Sequence, residues 1–547
     1  MTSDAPNTLA GSRRATRVRA AALAVLVVGA WTAGWSGEDP LAEAARDLSR
    51  HRELVAVGKA LGVARSADEP AERRGKGFRI AAEAYKEMGA HRLAVATHHQ
   101  ALAQLGGDNP HAVDCWAEIA QIHYDRREYH EAIGVLQKAQ AELDLAKVAE
   151  EPRSRLLSLL AKCRDKAGQV GAALAVYETL ISLTQEGEHR TAALARAARL
   201  YAELHELEKA EACLRRASGA MKTNTAVTEV AQAYQAVSLS LAAAGRAAES
   251  QALDRRIVSA FARREPTTAR AALKRLVVAA ADDGARLDVA ARLEGEEAVA
   301  LASDEVLALL VPAALRTGRT DEVVRHCLRA ALADLFGEAV VYTCLKAVVA
   351  VRVREDRFGD AVAAAAACYG CTGFASYVSA SQFARSVDLV AEALMARDGH
   401  LVGANAFRRY QVYGPAGPDR KAGTPDDIAN PLAGAAFKAD AATDRLLKAA
   451  VDGQPDSAKG HRARGWIYLL WCKPKEALKA FRQAFALCSL DATEMTRAAQ
   501  DIALGLKALE GTPAGMAAFA QYQRYGPNGP DGRKGTRDDL KDPLAGL

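Results

Sequence analysis

Aromatic residues make up only 5% of this 547-residue chain. That scarcity argues against β-sandwiches and barrels, whose strands draw on aromatic and β-branched side chains. The apolar half of the composition, 50% in the AVILMFWYC group, is instead largely alanine, which suits close-packed helices. Charge of one sign is also lacking. The net charge is +5, and residues 1–33 carry four Arg and one Asp, leaving about +2 for the remainder. So balanced a surface gives no electrostatic footprint for nucleic acid, and no basic stripe interleaved with aromatics appears. Beyond residue 36 no segment reaches the roughly 20 apolar residues needed to cross a bilayer. Catalytic signatures are missing as well: there is no G-x-x-x-x-G-K-[ST], G-x-S-x-G, H-E-x-x-H or G-x-G-x-x-G. The paired carboxylates Asp282-Asp283 and Glu296-Glu297 fall at turns or helix starts, where negative charge is favourable anyway.

The N-terminus stands apart. Arg13, Arg14, Arg17 and Arg19 precede Ala20 to Ala33, 14 residues without a charge. A basic n-region before a short apolar core is the pattern of a secretory signal peptide, with cleavage after Ala30 or slightly later. The alternative is retention of residues 1–36 as a membrane anchor. Export, to a bacterial periplasm or cell envelope, sits awkwardly with nine scattered cysteines. Cys163, Cys213, Cys327 and Cys488 fall on predicted helices, where free cysteine acts as a small hydrophobe. Cys368 and Cys371 form the single C-x-x-C, and Thr372 follows where haem attachment needs His. His91, His98 and His99, with His123 and His130 on the next hairpin, have the spacing of a solvated helix face as much as that of zinc ligands.

What is present is a ladder. Between His461 and Leu487 two helical segments flank Cys472-Lys473-Pro474. Ala477, Phe481 and Ala484 share one face of the second, and small Gly465 on the first lets the pair approach closely. Aligned on the small residue opening each second helix, the chain gives Ala94, Ala132, Ala173, Ala210, Ser250, Val289, Val323, Ala361, Ala404, Ala477 and Met516. Five residues earlier lies the turn, glycine in seven of these eleven cases: Gly89, Gly168, Gly245, Gly284, Gly318, Gly399 and Gly511. A helix end often requires a left-handed residue at that place. Proline with polar neighbours, as in Asn109-Pro110, Glu150-Glu151-Pro152 and Glu265-Pro266, predicts helix starts.

These offsets resemble the tetratricopeptide repeat (TPR). The resemblance covers most of residues 75–520, closely in five units and loosely elsewhere. It implies an all-α, right-handed superhelical solenoid of about eleven helical hairpins, with two irregular Gly/Pro/Asp loops. The expected organisation is a leader at 1–36, an N-terminal array at 41–260, divergent hairpins at 261–409, a loop at 410–434, a C-terminal pair at 435–520 and a second loop at 521–547. It further implies a non-enzymatic scaffold that binds a peptide or partner protein in a concave groove lined by first helices. The positions it singles out are Tyr85, Gln121, His123, Arg164, Arg199 and Tyr468, although packing within the repeat is the favoured role for Tyr85 and Tyr468. No nucleic acid and no small-molecule substrate are expected. An enzyme supported on the solenoid is the rival reading.

The two loops are a duplication. Tyr410 to Gly434 and Tyr522 to Gly546 align without gaps at an offset of 112, with 16 identities in 25 positions. Gly414-Pro415 and Gly526-Pro527 stop the preceding helices, and the Gly, Asp and Thr that follow favour compact turns. Three roles stay open: a cap over the end of the solenoid, a partner tag, or a calcium loop in a surface or matrix protein. For calcium the second copy offers Asn528, Asp531, Thr536, Asp538, Asp539 and Asp542, and the first Asp419, Asp426 and Asp427, with Thr424 and Asn430 beside them. D-x-D-x-D-G spacing is absent, and interleaved Arg and Lys weaken both. No cofactor is expected, with calcium at these loops as the alternative.

Overall fold

The computed structural model describes residues 39–525, except 107–108, 146, 186, 221–223, 373–376, 399–400, 439 and 489–491, together with Pro527 and Pro530. Among the described residues every regular element is helical. The chain forms two compact units that divide between Ser240 and Leu241.

The first unit holds α1 (Pro40–Ser49), α2 (Glu53–Arg65), α3 (Ala71–Glu87), α4 (His91–Leu105), α5 (Pro110–Asp125), α6 (Tyr129–Glu142), α7 (Glu150–Lys166), α8 (Val170–Leu183), α9 (Glu188–Glu203) and α10 (Leu207–Ala217), with most of α11 (Asn224–Ala243). They pair as α1/α2 through α9/α10. The second helices α2, α4, α6 and α8 also pack against the next first helix, so that these pairs are completed by the one beside them. The predicted starts hold: Asn109 caps α5 by accepting from His111 N at 2.9 Å, with Pro110 in the first position.

The second unit begins with α12 (Ala247–Phe261), α13 (Pro266–Val278) and α14 (Asp283–Ala291). It continues with α15 (Asp304–Thr317), α16 (Thr320–Ala333), α17 (Glu338–Arg354), α18 (Phe358–Cys371), α19 (Tyr377–Asp398) and α20 (Leu401–Tyr413). After an irregular stretch come α21 (Ala441–Asp452), α22 (Ala458–Leu470), α23 (Pro474–Leu487), α24 (Ala492–Glu510) and α25 (Ala514–Tyr525). Here the stack is not purely sequential. Helices α22 and α24 both return to pack on α18, and Trp466 of α22 meets Phe336, just past α16, edge to face at 5.9 Å.

One turn builds nearly all the hairpins. Gly89, Gly168, Gly245, Gly318 and Gly511 have φ of 69–78°. Arg127, His205, Asp356 and Cys472, at the ladder positions where glycine is missing, adopt the same left-handed backbone with φ of 55–63°. The following N–H then reaches back to the carbonyl five residues earlier, as in Ala90 N to Tyr85 O at 2.8 Å and Glu128 N to His123 O at 2.9 Å. This is the Schellman arrangement, and it satisfies carbonyls that a helix end leaves open. His51, with φ of 56°, marks a further hairpin, α1/α2, whose small anchor Ala56 is fully buried. The ladder read from the sequence starts one unit too late.

Two expectations need correction. Gly284 is not a turn residue but lies inside α14, whose N-cap Asp282 accepts from Ala285 N at 2.8 Å. Val289 is accordingly not the buried anchor; Leu287 and Ala290 hold the core there. Gly399 lies outside the described residues.

A non-glycine residue in the left-handed region costs about 1 kcal/mol, partly offset by the entropy glycine loses on folding. Arg127→Gly and His205→Gly should therefore each stabilise the first unit by about 0.5 kcal/mol, and Gly168→Ala should destabilise it by at least as much. Urea titration of the three variants reads the effect directly.

Candidate interaction surface

On the first helices of the first unit, charges from successive repeats meet. Lys86 Nζ of α3 donates to Glu118 Oε2 of α5 at 2.6 Å, and Arg155 of α7 reaches the other oxygen of Glu118 at 2.5 Å. Farther along, Arg196 Nε of α9 donates to Glu229 Oε2 of α11 at 3.0 Å, and Arg199 pairs with Asp165 of α7. Burial works to raise the Glu118 pKa, but Lys86 and Arg155 outweigh it and hold the carboxyl below its ordinary value. Glu229 follows the same balance with Arg196. Lys162 of α7 lies half-buried in this row without an ion-pair partner among the described residues. Burial, then Arg196, pushes its pKa down.

The positions picked from the sequence divide. Gln121 donates to Asp125 Oδ1 at 2.6 Å, and His123 Nδ1 lies 2.7 Å from Glu128. Arg164 Nη1 donates to Ala172 O at 3.2 Å, bracing its own hairpin. Arg199 belongs to the cross-repeat row above. Tyr85 is corrected to a core residue: it is buried against α2 and α4 and presents no surface to a partner. Tyr468 is half-buried and stacks on Trp471, with ring centroids 6.5 Å apart and planes within 9°. Lys86, Glu118, Arg155, Arg196 and Glu229 escaped the sequence reading because they do not share one offset from the small-residue anchors.

In the first loop copy the carboxylates serve the loop's own backbone. Asp426 accepts from Asp419 N at 2.9 Å and from Thr424 Oγ1 at 2.6 Å. Asp419 accepts from Lys421 N at 2.7 Å, and Asp427 from Gly423 N at 2.8 Å. The Thr424 hydroxyl and the Asp419 N–H hold Asp426 below its ordinary pKa. Among the described residues no group of three or more His, Cys, Asp or Glu converges as metal ligands. Asn528, Asp531, Thr536, Asp538, Asp539 and Asp542 lie outside the described residues. The first copy is also tied to the C-terminal helices. Its Asn430 donates to Glu510 O at 3.1 Å, and Tyr410 OH donates to the same carbonyl at 2.9 Å. It is a strap between α20 and the α24–α25 turn.

Buried histidines make a separate point. His98 of α4 is fully buried with neither ring nitrogen hydrogen-bonded, and burial lowers its pKa to about 4, with Glu118 opposing. The unfolded ring takes up a proton near pH 6.5, so stability is lost as pH falls from there towards 4. The loss is about 3 kcal/mol at the most. His98→Leu should remove that component, read as a smaller fall in urea midpoint between pH 7 and pH 4.5.

No protein family matches the sequence, and no curated protein matches it. Among solved structures, the TPR domain of P58(IPK) is similar at 11% identity and a TM-score of 0.19, over 86% of this chain and 98% of that one. A structure of Naa15/Naa10 bound to HypK-THB is similar at 11% identity and a TM-score of 0.22, over 88% of this chain and 98% of that one. This likeness is general, and the TPR-like fold rests on the paired helices and their shared turn.

Proposed function

We propose that the chain is a non-enzymatic interaction scaffold whose first-helix face, across α3 to α11, receives an extended peptide or helix of a partner protein. The observation that carries this reading is the polar row itself. Lys86, Glu118, Arg155, Arg196 and Glu229 hold charged groups at intervals of about one repeat, and among them lies Lys162, without an ion-pair partner among the described residues. Groups already oriented by their neighbours lose little entropy on engaging a peptide's carboxylates and amides. The opposite faces of the same helices are spent on core packing.

The leader supports action outside the cytoplasm, in an envelope compartment. Intact mass and N-terminal sequencing of the protein from its native host test that part. The scaffold reading is tested by crosslinking pull-down with mass spectrometry, comparing the native chain with Lys162→Glu/Arg199→Glu. The expected result is one partner set that the charge reversals deplete about tenfold while the far-ultraviolet spectrum stays unchanged. An identical set from both proteins refutes the assignment of the face.

A further inference from the structure

Helix α14 is 9 residues long, whereas the second helices α12, α16 and α18 have 15, 14 and 14. The chain then runs through a 3-10 segment, Gly295–Leu301, instead of completing the hairpin. At this break, among α12, α13 and α14, lies a cavity of about 430 Å³. That volume is in the range of sites for small molecules and single peptide side chains.

Its floor is apolar. Val258 of α12, Leu276 of α13 and Leu293 line it and are otherwise buried, while Ala279, Ala280 and Ala285 leave the space open. Two exposed arginines also line it, Arg255 of α12 and Arg292, the C-cap of α14. Neither has an ion-pair or hydrogen-bond partner among the described residues. The lining carboxylates offset them only in part. Asp288 is engaged by Arg319 at 2.8 Å, which leaves Glu297 as the one lining acid without a partner among the described residues. What sets these two apart is their place, at the mouth of one cavity with an apolar floor.

We propose that this cavity is a binding site for a carboxylate carried on a short apolar body. Arg255 and Arg292 clamp the carboxylate, and the Val258–Leu276–Leu293 floor takes the hydrocarbon. A guanidinium fork matches a carboxylate in planar, two-point geometry. The floor supplies a hydrophobic contribution that formate or acetate would not reach. The same chemistry is offered by the C-terminal residue of a polypeptide ending in an aliphatic side chain and by a free medium-chain acid. The site is separate from the polar face of the first unit, so its failure would leave that reading untouched.

Calorimetric titration of the full-length chain tests it with three probes: N-acetyl-Ala-Ala-Leu with a free carboxylate, the same peptide as its C-terminal amide, and octanoate. Saturable binding of the free-acid peptide or of octanoate is expected, with the amide about tenfold weaker. Arg255→Gln/Arg292→Gln should weaken the acid about tenfold, and Ala280→Phe, which fills the space, should abolish binding with the melting temperature retained. Binding of the peptide acid without octanoate assigns the site to a chain terminus, and the converse assigns it to a free acid. Equal affinity for acid and amide, indifference to the double arginine substitution, or no saturable heat from either acid at millimolar concentration overturns the proposal.

Discussion

Phe481→Ala is expected to destabilise the second unit by about 4 kcal/mol, and its effect on Gly465 should be as informative as its size. Phe481 is fully buried on α23. Its ring lies where a Cβ at Gly465 of α22 would have to go, and a Cβ at Gly505 of α24 would come within 3.2 Å of the same ring. Phe481 thus fills the space at Gly465, and at Gly505 it shares the space with Leu478, whose Cδ2 would lie 2.8 Å from that Cβ. Gly465→Ala alone should cost about 2 kcal/mol through overpacking. In the Phe481→Ala background the same substitution should cost almost nothing, because the atom it would strike is gone. A double-mutant cycle by guanidinium titration reads the coupling. Additive costs would mean the two helices do not meet at these residues.

Raising the pH from 7 to 8.5 should stabilise the protein by about 2 kcal/mol through Lys507 alone. Lys507 of α24 is fully buried and donates to the carbonyls of Tyr369 and Thr372 at the C-terminal end of α18. Its ammonium also sits over the Tyr369 ring, 4.5 Å from the centroid. A helix C-terminus and an aromatic face both favour a cation, yet burial outweighs them and lowers the pKa from 10.5 to about 7. Between those values the unfolded chain holds more protons than the folded one, so stability climbs with pH, and the full cost of the buried charge is felt below 7. Above about pH 8.5 the buried thiols act in the opposite sense. Cys368 is pushed up to about 12 by burial, while its unfolded counterpart ionises near 8.5. Because that ionisation begins below 8.5, and Cys115, Cys163, Cys371 and Cys472 share it, the amine's share is read as the difference between the native chain and Lys507→Met. Lys507→Met should lower the slope between pH 7 and 8.5, and an unchanged slope would assign the pH dependence to other groups.

The close contact of Gly465 with Phe481 was legible in the sequence because small and large residues recur at helical offsets that only facing helices can use. So was the turn, although its rule had to be widened. Backbone conformation is set by the need to close the hairpin, and Arg127, His205, Asp356 and Cys472 accept the left-handed strain that glycine avoids. That is why α1/α2, which turns on His51, left no glycine signal. The return of α22 and α24 onto α18 was not legible, since sequence periodicity reports which face is apolar and not which of several helices covers it. Lys507 hid for the same reason: a lysine on an amphipathic helix reads as solvated until its partner carbonyls, 138 and 135 residues away, are in place. For the first loop copy, composition showed a tight turn and an oxygen-rich one. Only the geometry shows that Asp419, Asp426 and Asp427 point their oxygens at the loop's own N–H groups.

The polar face itself was only half visible. Arg199 was picked for its exposure on a first helix, and its partner Asp165 lies one repeat away. Ion pairs between repeats depend on the stagger of neighbouring first helices, which varies with loop length along the array.

The most direct measurement of the central claim is a photo-crosslinker scan in the native host. The crosslinker is placed at Gln121 and Lys162 on first helices and at Lys138 and Thr179 on the exposed sides of α6 and α8. If the first-helix face is the working surface, Gln121 and Lys162 capture the same partner and Lys138 and Thr179 do not. Capture of that partner from the second helices, with none from the first, would contradict the account.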